Sequence, residues 1–88
     1  MKTTILTYRT IIQKDGKYYH GFVPALPGCH TQGTTIEDTK TNLREAITGF
    51  LESMKKHHEA IPREESFESM ETFDLRQLFP GEKIFSYA

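Results

Sequence analysis

Cysteine is nearly missing from this 88-residue chain, and tryptophan is missing altogether. A lone cysteine, Cys29, excludes an internal disulfide and fits a reducing compartment, so a cytoplasmic protein is expected. Long apolar runs are also missing, which leaves no span for a membrane-crossing helix. The N-terminal "MKTTILTYRTII" lacks the apolar core of a secretory leader. Charge of one sign is scarce as well. The formal net charge is −1, far from the basic excess of a nucleic-acid binder. A chain this short makes one small domain with a limited core.

What charge there is lies unevenly. Residues 1–20 carry Lys2, Arg9, Lys14 and Lys17 against Asp15. Residues 59–74 carry Glu59, Glu64, Glu65, Glu68, Glu71 and Asp74 against Arg63. Such an acidic run is either a solvated face or a surface that meets a basic partner.

The chain opens on strand-like sequence. Residues 3–13 are rich in β-branched and aromatic side chains. Asp15-Gly16 reads as a hairpin turn, because glycine accepts positive φ. Residues 18–23 form the returning strand. Pro24 and Pro27 cannot donate to a ladder, so a turn separates this strand from a third at 29–34. Thr35 reads as a helix N-cap, with Glu37 and Asp38 in the first turn. Leu43, Ala46, Ile47, Phe50, Leu51 and Met54 recur at helical spacing and predict one buried face. Lys55, Lys56, His57 and His58 close the helix, and Ile61-Pro62 ends it. Beyond it, Phe67, Phe73 and Leu75 share a parity, which predicts a fourth strand within 67–75. Residues 83–88 read as a short terminal strand or a tail.

The expected class is therefore α+β, β-β-β-α-β, with one helix on one face of an antiparallel meander. The fourth strand would return parallel to the first through a right-handed crossover. In the first strand, Leu6, Tyr8 and Ile12 occupy one parity and Ile5, Arg9 and Ile11 the other. Both faces are apolar, and one helix covers only one. The second face is expected to meet another subunit, a partner protein or the C-terminal tail.

Candidate chemistry is sparse. A nucleophilic cysteine needs a base and an electropositive pocket. His30 neighbours Cys29, but successive strand residues point to opposite faces. Cys29 reads as a core residue. His20, His30, His57 and His58 lack paired metal-ligand spacing, and Gly28 and Gly33 form no phosphate-binding motif. No metal, cofactor or catalytic residue is expected, which favours a binding module.

The stretch "VPALPGCHTQGTTIEDTKTNLREA" resembles the HicB-like antitoxins of prokaryotic toxin–antitoxin pairs. The likeness rests on P-x-L-P-G-C-x-T-x-G (Pro24, Leu26, Pro27, Gly28, Cys29, Thr31, Gly33), then Thr35, Glu37 and Asp38, then Asn42, Glu45 and Ala46. It extends over about residues 3–62. Lys40 stands where that family usually has an apolar residue, and His58 where it often has glycine. The resemblance implies a partial RNase H-like fold, β-β-β-α-β with sheet order 3-2-1-4 and no catalytic carboxylates. It implies an antitoxin domain over 1–76, with 77–88 as a tail or short extra strand. The implied function is non-enzymatic: binding and neutralising a small basic, mRNA-cleaving HicA-like toxin. A self-associating module of the same fold with no toxin partner is the alternative. A homo-oligomer, dimer or tetramer, is implied too. Direct DNA binding is not expected, because the residues after Pro62 are needed for the fourth strand and cannot also hold a helix-turn-helix. The candidate partner surface comprises Tyr19, Phe22, Glu64, Glu65, Glu68 and Glu71.

Overall fold

The computed structural model describes residues 4–83. Three strands, β1 (Ile11–Asp15), β2 (Tyr18–Phe22) and β3 (His30–Gly33), form an antiparallel sheet in the order β1-β2-β3. One long helix, α1 (Ile36–Lys56), crosses one face, and a single turn, α2 (Leu75–Leu78), lies near the end. The α+β meander with one helix is as expected.

The hairpin forms one residue later than the sequence suggests. Asp15 pairs with Tyr18, so the two loop residues are Gly16 and Lys17. Gly16 has φ +62° and takes the first central position, the arrangement of a type II′ turn. Residues 4–10, expected as part of the first strand, pair with no other strand. The ladder ends at Ile11–Phe22 because Pro24 then turns the partner chain away.

The proline-rich corner is two consecutive turns. The Leu26 amide donates to the Val23 carbonyl and the Cys29 amide to the Leu26 carbonyl, both at 3.0 Å. Pro24 and Pro27 each occupy the second turn position, where a fixed φ is already correct, and Gly28 follows Pro27 at φ +89° as a type II turn requires. The Val23 amide closes the corner on the Cys29 carbonyl at 3.2 Å. This folds Leu26 inward, fully buried, between Val23 and Cys29.

Thr35 caps α1, its hydroxyl accepting from the Asp38 amide at 3.0 Å. Asn42 Nδ2 donates to the Gln32 carbonyl at 2.9 Å and ties the helix to β3. Close approach depends on Gly21 and Gly33, which leave a notch for the wholly buried Thr39. Leu43 joins Val23, Leu26 and Cys29 in the core, with Tyr8, Ala46, Ile47, Phe50 and Leu51 packed around it.

The far end of α1 closes as a Schellman motif. The Glu59 amide donates to the Met54 carbonyl at 2.9 Å, and the His58 amide to the Lys55 carbonyl at 3.1 Å. His58 sits at φ +56°, where an L side chain is strained. His58→Gly should therefore raise stability by about 1 kcal/mol, visible as a higher urea midpoint at unchanged slope.

The fourth strand expected within 67–75 does not form, and nothing pairs with β1 on its outer side among the described residues. The sheet order β3-β2-β1 is thus present without the parallel fourth member. The reason lies in the spacing. Phe67, Met70 and Phe73 recur every three residues, so a period-two strand would place Met70 opposite the two phenylalanines. All three are exposed, Phe67 at 100%. Leu75 opens α2, whose N-cap Asp74 accepts from the Arg76 amide at 2.9 Å. Of the terminal strand or tail expected at 83–88, residues 84–88 lie outside the described part. Among the described residues after Pro62, the only helix is the one-turn α2.

Candidate partner-binding surface

The two faces of the sheet have different roles. A Cβ at Gly21 would touch Thr39 and Leu43 of α1, so odd-numbered β2 residues face the helix and even-numbered ones face away. Tyr19 therefore lies on the helix side and Phe22 on the open side. The two candidate aromatics do not share a surface, because three residues separate them and strand side chains alternate.

On the open face His20 stacks on Phe22 with ring centroids 5.6 Å apart, and His20 meets His30 edge-on at the same separation. Ile11, paired with Phe22, extends this patch toward the edge of the sheet. Phe22, His20 and Ile11 are half-buried, and His30 is exposed.

Cys29 belongs to the opposite side. It is 4% exposed within the core, and burial pushes its thiol pKa up. The imidazoles of His20 and His30 lie on the open face, across the sheet from the thiol. This arrangement withholds the thiolate. Alkylation of native Cys29 near neutral pH should be slow and become fast only on unfolding, as thiol titration with and without denaturant would show.

The acidic run borders the open face along β1. Leu6, Tyr8 and Thr10 line the α1 side, so Arg9 points the other way, as Ile11 does. Its backbone amide donates to Glu64 Oε1 at 2.8 Å, Nη2 donates to Ser66 Oγ at 3.4 Å, and Nη1 lies 3.9 Å from Glu68 Oε2. On the helix side the Tyr8 hydroxyl donates to the Pro62 carbonyl at 2.5 Å; burial, then the Glu64 charge, raise its pKa. The chain after α1 thus runs beside residues 8–9, where a fourth strand would begin, but is held by side chains. Pro62 has no amide hydrogen to start a ladder.

Of the four candidate glutamates, Glu64 and Glu68 turn toward Arg9; Glu64 is half-buried, and Glu68, like Glu65 and Glu71, is exposed. The Glu64 carboxyl is held below the usual glutamate range, first by the Ser66 hydroxyl and then by the Arg9 amide. A lowered carboxyl pKa makes the clip complete above the ordinary glutamate range and lost as pH falls through the lowered value. Residues 63–74 should therefore become more protease-sensitive at acid pH, and Glu64→Ala should produce the same sensitivity at neutral pH. The sequence reading placed Phe67 and Phe73 in a fourth strand and passed over Met70, whereas all three are exposed on this arm. Their three-residue spacing was the available signal.

Among the described residues no group of three or more His, Cys, Asp or Glu gathers to hold a metal. No helix of the described residues is long and apolar enough to cross a membrane. Fold and surface together define a small α+β module that presents an open sheet face with an acidic border.

Comparison with known proteins gives this module its family. Residues 8–75 match the family described as the HicB-like antitoxin of bacterial toxin–antitoxin systems. A UPF0150 protein of Thermoplasma acidophilum is 50% identical over 64 residues, spanning 72% of this chain and 93% of that protein. A second UPF0150 protein, from Synechocystis, is 41% identical over 63 residues, 69% of this chain and 78% of that one. The crystal structure of the N-terminal domain of the Burkholderia pseudomallei antitoxin HicB superposes with a TM-score of 0.53 at 30% identity, covering 82% of this chain and 78% of that one. The chain belongs to the HicB-like antitoxin family.

Proposed function

We propose that this protein neutralises a small basic, mRNA-cleaving toxin of the HicA-like kind by covering it, with no catalytic step of its own. The observation that carries the reading is the open face of the sheet, with the apolar pair Ile11 and Phe22 at the end of its β1–β2 ladder, bordered by a carboxylate-rich segment fastened to Arg9. An apolar centre with a charged rim is the usual anatomy of a specific interface. Glu65 and Glu68 at the rim suit a basic partner, and such complementarity chiefly speeds encounter and excludes wrong partners. Phe22 supplies the buried contact. Glu64 contributes indirectly, by holding the segment in place. Tyr19, on the helix side, takes no part. A toxin that cleaves mRNA acts in the cytoplasm, and the antitoxin would meet it there.

Co-expression with the protein encoded beside it tests the reading. The expected result is a stable complex on affinity capture and rescue of growth from the toxin. Neither capture nor rescue with either neighbouring gene product would overturn it.

A further inference from the structure

We infer that the groove between α1 and the segment before β1 is a binding site for a medium-chain fatty acid, with the acyl chain on its apolar floor and the carboxylate on Lys40 and Arg44. The inference does not rest on the toxin reading, which uses the opposite face of the sheet.

The groove comes from incomplete cover. The helix packs mainly on β3 and β2 and touches β1 least. The segment before β1 runs beside it and leaves a cavity of about 550 Å³, a volume within the roughly 300–1,000 Å³ of small-molecule sites. Leu6, Tyr8, Leu43, Ile47 and Leu51 give it an apolar floor. Leu6 is still 39% exposed, so the floor has apolar surface left to cover. The Tyr8 hydroxyl donates to the Pro62 carbonyl and ties the wall of the groove to the chain just beyond α1, at the Leu51 end.

The other end is cationic. Lys40 and Arg44 lie one helical turn apart, on the stripe that continues through Ile47 and Leu51, and all four line the groove. Both cations are exposed, and neither has an ion-pair partner among the described residues. Such side chains lay their methylene stems on apolar surface and keep the charge at the rim. A trough that is apolar along its length and positive at one end matches a molecule with an apolar tail and an anionic head. A guanidinium receives a carboxylate through two parallel hydrogen bonds, and an ammonium adds a point charge. Lys40 to Leu51 spans roughly 16 Å along the helix, the length of an extended chain of ~12 carbons.

Charge and geometry set other occupants aside. A basic toxin would be repelled by Lys40 and Arg44. The chain's own acidic segment is fastened to Arg9, on the other side of the sheet, through Glu64 and Glu68.

Titration of the isotope-labelled full chain with dodecanoate, below its micelle concentration and followed by amide chemical shifts, tests the inference. Saturable shifts should gather at residues 6–10 and 40–51. Octanoate should bind about tenfold more weakly or worse, because four methylenes leave the floor. Dodecyltrimethylammonium, the same chain with a cationic head, should also bind about tenfold more weakly. Lys40→Glu with Arg44→Glu should reverse that preference for head charge at an unchanged circular dichroism spectrum. The ligand series is read on the wild type, so the test stands even if the variant folds poorly. No saturable shift with dodecanoate, or equal binding of the anionic and cationic chains to the wild type, would overturn the inference. Binding that begins only with micelles or anionic vesicles would assign the groove to a lipid surface and overturn it equally.

Discussion

Gly33→Ala should cost about 3 kcal/mol or more, enough to leave much of the protein unfolded at ambient temperature. A Cβ there would lie 2.5 Å from Thr39 Oγ1, 2.7 Å from Thr39 N and 2.9 Å from its Cα. Two of those atoms are backbone in the first turns of α1, and they cannot retreat alone. The Thr39 amide donates to the Thr35 carbonyl at 3.0 Å, and its hydroxyl donates to the same oxygen at 2.7 Å. Relief requires the helix to lift off β3, which would strip the core around Leu43. Gly21→Ala should cost less, since its closest neighbour is the Thr39 methyl at 3.0 Å. Gly49→Ala meets nothing within 4 Å and should stabilise α1 by up to about 1 kcal/mol. Urea unfolding of the three variants checks this order. Gly33→Ala within about 1 kcal/mol of the wild type would show that α1 is not seated on β3 as described.

Phe22→Asp should weaken toxin binding by at least about a hundredfold while moving the melting temperature little. Phe22 is half-buried on the open face, stacked on His20 and outside the core cluster. Aspartate there removes the apolar contact and puts an unpaired charge beneath a bound partner, which is costly once water is excluded. Tyr19→Asp is the control. Its side chain projects to the helix side, so toxin binding should survive wherever the fold does. Titration of each variant against the toxin separates the two; equal losses would mean that the partner does not use the open face.

Much of the meander was legible because its signals are local. Gly16 marks the hairpin through its φ, Pro24, Pro27 and Gly28 form turns that their own ring and backbone preferences select, and Thr35 caps the helix by a bond three residues long. The apolar stripe from Leu43, which is buried, to Met54, which like the rest is half-buried, follows from helical periodicity alone. The one-residue shift of the hairpin loop was not legible, because Asp15-Gly16 and Gly16-Lys17 both place glycine where positive φ is allowed; cross-strand register decides between them. The fourth strand was misread from Phe67, Phe73 and Leu75, whose shared parity hid the three-residue spacing that includes Met70. The family motif was complete in the sequence, although its physical content, two linked turns closed by Val23 and Cys29, needed coordinates.

The sequence by itself determined the α+β class, the three-stranded meander, the placement of α1 and the inward role of Cys29, since each rests on contacts within a few residues or on a simple period. Only the tertiary structure decided which surfaces are free. Tyr19 and Phe22 part company because β2 has a definite helix side, set by Gly21 beneath Thr39. The acidic run divides because Arg9, some 55 residues earlier in the chain, engages Glu64 and Glu68 and leaves Phe67 exposed. Contacts of that separation leave no periodic trace in a sequence, and they arise only when residues 9 and 64–68 are brought side by side.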